Sequence, residues 1–201
     1  MMDYDQGIRD IYFTPHYRRR GDNRYLLDVY EDFLREVEEK RPDIYRETTF
    51  HLAHELVYHE ELLGRLKDGN AFPLDETGHI LIEFDPFLGY DTMYRQLREL
   101  LNGGYIPVIA HMERYQALRD PEHVAEVKRA GCLLQVNYQS ITGDGMTGRE
   151  APFGGIFSKE IKRVRGLITE GMIDWYGTDT HRRDYRPPEI KKALEWLKKN
   201  D

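Results

Sequence analysis

The sequence predicts an α/β fold built on parallel strands, as an open sheet or a closed barrel. Two observations carry that expectation. Short apolar, β-branched runs alternate with longer segments in which apolar residues recur at helical spacing. Glycines stand at Gly103-Gly104, Gly131 and Gly171, just before strands, where a helix C-terminus favours a residue able to turn left-handed.

Taken in order, Met1 to Gly7 reads as the last turn of a helix. The expected strands are Asp10–Thr14, Thr49–Val57, Ile80–Phe84, Ile106–His111, Leu133–Asn137 and Ile173–Thr178. After the first strand, Leu26, Tyr30, Phe33 and Val37 mark one helical face, with Asp22 as N-cap and Pro42 beyond the end. Further helices are expected over Tyr94–Leu101, Pro121–Ala130, Ile161–Ile168 and Pro188–Leu197. The result is six βα units with no linker or composition break, hence one domain over residues 1–201. Thr142–Gly155 holds five glycines and suits a mobile loop; no Gly-Lys-Ser/Thr follows, so it is not a Walker A phosphate loop.

Composition narrows the function classes. The chain has 201 residues, with 29 basic against 36 acidic side chains and a net charge of −7, which excludes broad attraction to nucleic acid or an anionic membrane. A hydrophobic share of 40% with 12% aromatics supports a packed core rather than disorder. The single cysteine, Cys132, opens an apolar run and is expected to be a buried small hydrophobe, not a reactive thiol. The N-terminus has neither a basic nor an apolar signal region, and no apolar run is long enough to span a bilayer. A cytoplasmic location is expected.

Polar residues fall at the ends of the expected strands. His16 follows the first, Glu55 lies near the end of the second and Glu83 ends the third. His111 ends the fourth, while Asp179 and His181 follow the last. In a βα barrel the strand C-termini converge on one face, where active sites are built. Alone, each residue reads more readily as a cap or a solvated side chain. Together they form an imidazole and carboxylate set suited to Mn, Fe, Zn or Co, in which carboxylates can bridge two ions. His54 adjoins Glu55 and could brace it; His51, His59, His79 and His123 are expected to be exposed or locally bonded. The His54-Glu55 pair does not open a His-Glu-x-x-His zinc motif, because His59 comes one residue too late.

Arginines follow the same residues: Arg18, Arg19, Arg20 and Arg24 after His16, Arg114 after His111, and Arg182, Arg183 and Arg186 after His181. In an acidic chain such local positive charge suits a phosphate or carboxylate substrate, since a guanidinium binds phosphate through two parallel hydrogen bonds.

At these residues the sequence resembles the polymerase and histidinol phosphatase (PHP) superfamily. Within it, the chain is similar to the CpsB/CapC-type bacterial manganese-dependent protein-tyrosine phosphatases. The matching segments are Thr14-Pro15-His16-Tyr17-Arg18-Arg19, Glu55-Leu56-Val57-Tyr58, Leu81-Ile82-Glu83-Phe84 and Ala110-His111-Met112-Glu113-Arg114-Tyr115, the most specific of the set. They continue with Gln135-Val136-Asn137 and Thr178-Asp179-Thr180-His181 leading to Arg186-Pro187-Pro188.

The resemblance implies a distorted TIM-like (βα) barrel. It implies His16, Glu55, Glu83, His111, Asp179 and His181 as ligands of a cluster of up to three metal ions (two or three Mn2+ in the family, fewer or other divalent metals being open here), and Arg114 and Arg186 as the grip on the phosphoryl oxygens, with His111 among the catalytic groups. It also implies metal-assisted hydrolysis of phosphotyrosine on the tail of a bacterial tyrosine kinase that controls capsular or exopolysaccharide synthesis. One departure stands out: no His-x-His precedes His16, so the family's first strand and most of its first helix are expected to be missing. Two other readings follow from the same residues. The chain could be a phosphotyrosine-binding module without turnover, or a PHP phosphoesterase for a small phosphoester. It could also assemble as a homo-oligomer.

Overall fold

The computed structural model describes residues 2–143, 157–181 and 190–200. In chain order its regular elements begin with α1 (Met2–Asp5), β1 (Asp10–Phe13), α2 (Tyr25–Lys40), α3 (Pro42–Glu47) and β2 (Thr49–Leu52). Next come β3 (Glu55–Val57), α4 (Leu62–Lys67), β4 (His79–Glu83), α5 (Tyr90–Asn102) and β5 (Ile106–Ile109). The series ends with α6 (Pro121–Arg129), β6 (Leu133–Asn137), α7 (Tyr138–Thr142), α8 (Phe157–Thr169), β7 (Trp175–Gly177) and α9 (Lys191–Asn200). Strand pairs β1–β2, β3–β4 and β6–β7 are all parallel, as a βα repeat requires. The fold is α/β.

The chain divides into two compact units. One runs to Phe84 and includes Arg95–Val108; the other comprises Asp85–Tyr94 and the chain from Ile109 on. In the first, Leu56, Ile80 and Ile82 on β3 and β4 are fully buried with Ile44, Leu62, Leu97 and Leu100 from helices. In the second, Leu134 and Val136 on β6 are buried with Val124 and Val127 of α6 and Val164 of α8. Cys132 is 1% exposed, the small buried hydrophobe expected of it.

The expected helix-to-strand glycines do stop helices. At Gly131 (φ +102°) the Cys132 N–H reaches back to the Val127 carbonyl, and at Gly171 (φ +69°) the Met172 N–H reaches Leu167. Both turns are six-to-one closures of a helix end, which need a left-handed residue.

Two expectations are corrected. The run Thr49–Val57 is two strands, not one: the Ala53 N–H still reaches the Phe13 carbonyl, but Pro15 opposite it has no N–H to return, and the His54 N–H bonds Phe72. Asp22 does not cap α2; its carboxylate accepts the Arg24 N–H and pairs with the Arg24 side chain, and Arg24 itself stands at the cap position. Pro42 lies beyond the end of α2, as expected, and is also the first residue of α3, where its missing N–H costs nothing. The short helices α3, α4 and α7 were not anticipated; each is too short to show a helical period.

Candidate active site

In the first unit, β1 and β2 pair from Asp10↔Thr49 to Phe13↔Leu52, and the single bridge His16↔Glu55 keeps the same offset beyond a gap. Pro15 lies in the gap, where it has no N–H to give to a ladder. The Pro15 carbonyl accepts the Glu55 N–H at 3.2 Å and the Glu55 carbonyl accepts the Tyr17 N–H at 2.9 Å, which clamps His16 beside β3. Glu83 ends β4. Glu55 faces Leu81 across the β3–β4 ladder, and Glu83, two residues on from Leu81, leaves the same face.

Strand register therefore brings the three side chains together. His16 Nδ1 lies 3.3 Å from Glu55 Oε2 and 3.3 Å from Glu83 Oε1. One ligand atom from each lies within 4.8 Å of the others. Glu55 is buried and Glu83 half-buried. Two carboxylates converging away from bulk water repel each other unless a cation sits with them. One imidazole nitrogen with two carboxylate oxygens fits a divalent ion of the Mn, Fe, Zn or Co type.

In the second unit, His111 follows β5 with φ +32° and Asp179 follows β7 with φ +48°; these are the two non-glycine residues of positive φ among the described residues. The Arg114 guanidinium donates to Asp179 Oδ2. His181 Nδ1 lies 3.0 Å from the Asp179 carbonyl and 3.5 Å from its Oδ1. The Tyr115 hydroxyl stands 3.1 Å from His111 Nδ1. The expected ligands thus fall three to each unit: His16, Glu55 and Glu83 in one, His111, Asp179 and His181 in the other. Arg186, Arg182, Arg183 and most of the glycine-rich stretch Thr142–Gly155 lie outside the described residues.

The remaining histidines separate cleanly. His51 bonds Asp10, His79 bonds Asp75 and His123 bonds the Ala117 carbonyl, as expected of local partners. His59 departs from expectation: it is buried against the Tyr17 ring, with no hydrogen-bond partner for either ring nitrogen. His54 Nδ1 accepts the Phe72 N–H while Nε2 is buried without a partner, and burial pushes its pKa down to about 4. Sequence reasoning gave no role to Glu113, Tyr115, Gln135 or Asn137, all buried polar residues. The available signal was Gln135 and Asn137 alternating with Leu134 and Val136 on a strand, which puts two amides on one face.

The family model for capsular polysaccharide synthesis, CpsB/CapC, matches residues 1–201. The chain belongs to the CpsB/CapC family. It is 28% identical over 197 residues to tyrosine-protein phosphatase CpsB of Streptococcus pneumoniae, covering 98% of this chain and 78% of that protein. To tyrosine-protein phosphatase YwqE of Bacillus subtilis (strain 168) it is 28% identical over 204 residues, covering 96% and 72%. A solved chain from the crystal structures of YwqE and of CpsB from Streptococcus pneumoniae, described there as unique metal-dependent tyrosine phosphatases, superposes with a TM-score of 0.80 at 23% identity. The superposition covers 98% of this chain and 75% of that one, and it shows a shared fold. No helix among the described residues of this CpsB/CapC chain is long and apolar enough to cross a membrane.

Proposed function

We propose that this CpsB/CapC chain is a metal-dependent protein-tyrosine phosphatase. Its substrate would be the phosphotyrosine tail of a bacterial tyrosine kinase of capsular or exopolysaccharide synthesis, in the cytoplasm. Residues 1–201 would act as one PHP-type domain, contributing six βα units to a distorted TIM-like barrel. The observation that carries the reading is the convergence of His16, Glu55 and Glu83, one ligand atom each, in a chain of this family.

His16, Glu55, Glu83, His111, Asp179 and His181 would hold two or three divalent ions, Mn2+ first among them. When bound, such ions supply Lewis acidity, a water acidified enough to attack near neutral pH, and charge to offset the phosphoryl oxygens. The chain's own residues do the rest. Arg114 and Arg186 orient the phosphate and meet the negative charge that develops on its oxygens. Cys132, at 1% exposure, takes no part, so no phosphocysteine forms.

The test is Mn2+-dependent release of phosphate from a phosphotyrosine peptide, compared with a sugar phosphate and histidinol phosphate. Faster turnover of the peptide is expected. Tight peptide binding without turnover at saturating Mn2+ would replace this reading with a binding module, and preference for the small esters would replace its substrate.

A further inference from the structure

Gln135 and Asn137 stand two apart on β6, so both side chains leave one face of the strand. Both are buried. Their polar atoms form a chain with a single direction. Gln135 Oε1 accepts the His111 backbone N–H at 2.5 Å. Gln135 Nε2 then faces Asn137, whose Oδ1 accepts it at 3.0 Å. Asn137 Nδ2 in turn donates to Asp179 Oδ2 at 3.3 Å. Neither amide can turn over without breaking the chain, because a backbone N–H at one end only donates and a carboxylate at the other only accepts.

The ends of this chain are the two residues held at positive φ, His111 and Asp179. Such backbone persists only where the surroundings hold it. Glu113 adds a second tie: its Oε1 accepts the Asn137 N–H at 3.2 Å and the Ser140 hydroxyl at 2.7 Å, fastening the turn after His111 to β6 and α7. Gly177 sits opposite Asn137 in the β6–β7 ladder. A Cβ there would collide with Gln135 Nε2, so the amide occupies space that a side chain would take.

We propose that Gln135 and Asn137 are positioning residues for the phosphatase reaction, an amide relay that holds the His111 backbone and sets the Asp179 carboxylate. The proposal rests on reading His111 and Asp179 as metal ligands. Asn137 and Arg114 both meet Oδ2, while His181 stands beside Oδ1, so the relay fixes which edge of the carboxylate each neighbour meets.

Gln135→Glu tests it. The variant keeps an acceptor for the His111 N–H but presents oxygen to Asn137, whose amide then turns and presents Oδ1 to Asp179. Expected is a fall of about 10–100-fold in kcat for p-nitrophenyl phosphate and in Mn2+ affinity by calorimetry, with KM changed by no more than about twofold. The melting temperature of the metal-free variant should fall, since a buried carboxylate replaces an amide, but the variant should stay folded at the assay temperature. Gly177→Ala alters no polar group and should produce a smaller kcat loss by displacing Gln135. Unchanged kcat and Mn2+ affinity in Gln135→Glu would overturn the relay, as would a kcat loss that merely tracks loss of folded protein. A measurement without metal or substrate separates this proposal from the functional one. In the isotope-labelled wild type, the side-chain amide protons of Gln135 and Asn137 should exchange slowly with solvent, and those of Asn137 faster in Gln135→Glu. Fast exchange in the wild type sinks the relay even in an active enzyme. Slow exchange in a wild type that hydrolyses no phosphotyrosine supports the relay geometry and refutes the phosphatase reading.

Discussion

Arg114 donates to Asp179 Oδ2, which ties the arginine proposed to hold phosphate to a carboxylate proposed to hold metal. The pair makes Arg114 more than a surface charge, since its planar fork must serve a carboxylate and a phosphate in one geometry. Replacing it by alanine should lower kcat for an aryl phosphate by about 10²–10³-fold. Arg114→Lys keeps the charge without the fork and should recover only part of that loss. Steady-state kinetics on both variants decide it; full recovery by lysine would mean that charge alone matters.

His16, Glu55 and Glu83 carry the metal part of the reading. A ligand that binds only the folded chain raises stability by about 2.7 kcal/mol when present at a hundred times its Kd. Mn2+ should therefore raise the melting temperature of the wild type. In Glu83→Gln the shift should shrink sharply, because the third ligand loses its charge. An equal shift in both proteins would remove Glu83 from the ligand set.

Acid should destabilise the fold through two buried histidines. Burial lowers the pKa of His54 to about 4, and burial, then the nearby Arg19, lowers that of His59. In the unfolded chain both return to the ordinary value of about 6.5. Below that pH the unfolded chain takes up protons that the folded chain refuses. Stability is thus full above 6.5 and falls as pH drops toward 4, with His54 alone contributing a loss of about 3 kcal/mol at the acid end. Urea unfolding across this range measures it. His59→Phe, which removes two unpartnered ring nitrogens, should be neutral or stabilising at pH 8 and should flatten the acid limb. A midpoint independent of pH between 7 and 4.5 would contradict the assignment.

Cys132→Ala should leave kcat unchanged and cost about 1 kcal/mol of stability for the lost packing. Loss of turnover in that variant, with turnover retained in His111→Ala, would reverse the mechanism.

The parallel α/β order was legible because it is written in local chemistry: apolar runs at Ile80–Phe84 and Leu133–Asn137, and glycines at the helix ends. The convergence of His16, Glu55 and Glu83 was legible for the same reason, as polar residues at strand termini. The break at Ala53-His54 was not, since it depends on Pro15 standing opposite and on Phe72, both distant in sequence, the latter taking the His54 hydrogen bonds. Nor was the His59 environment, which a ring stacked from Tyr17 creates. Gln135 and Asn137 were visible as residues, but their partners, a backbone N–H at 111 and a carboxylate at 179, exist only once strands are in register.

If His111 and Asp179 serve the proposed chemistry, their left-handed backbone sets folding against it. Glycine would relax the backbone at either position by about 1 kcal/mol, a gain that at 179 is set against the lost ion pair with Arg114. A lineage that gave up hydrolysis would be free to drift toward those residues and become hardier. Retention of histidine and aspartate at these two sites in a population of related genes would therefore record continuing selection for chemistry, at the expense of thermal endurance.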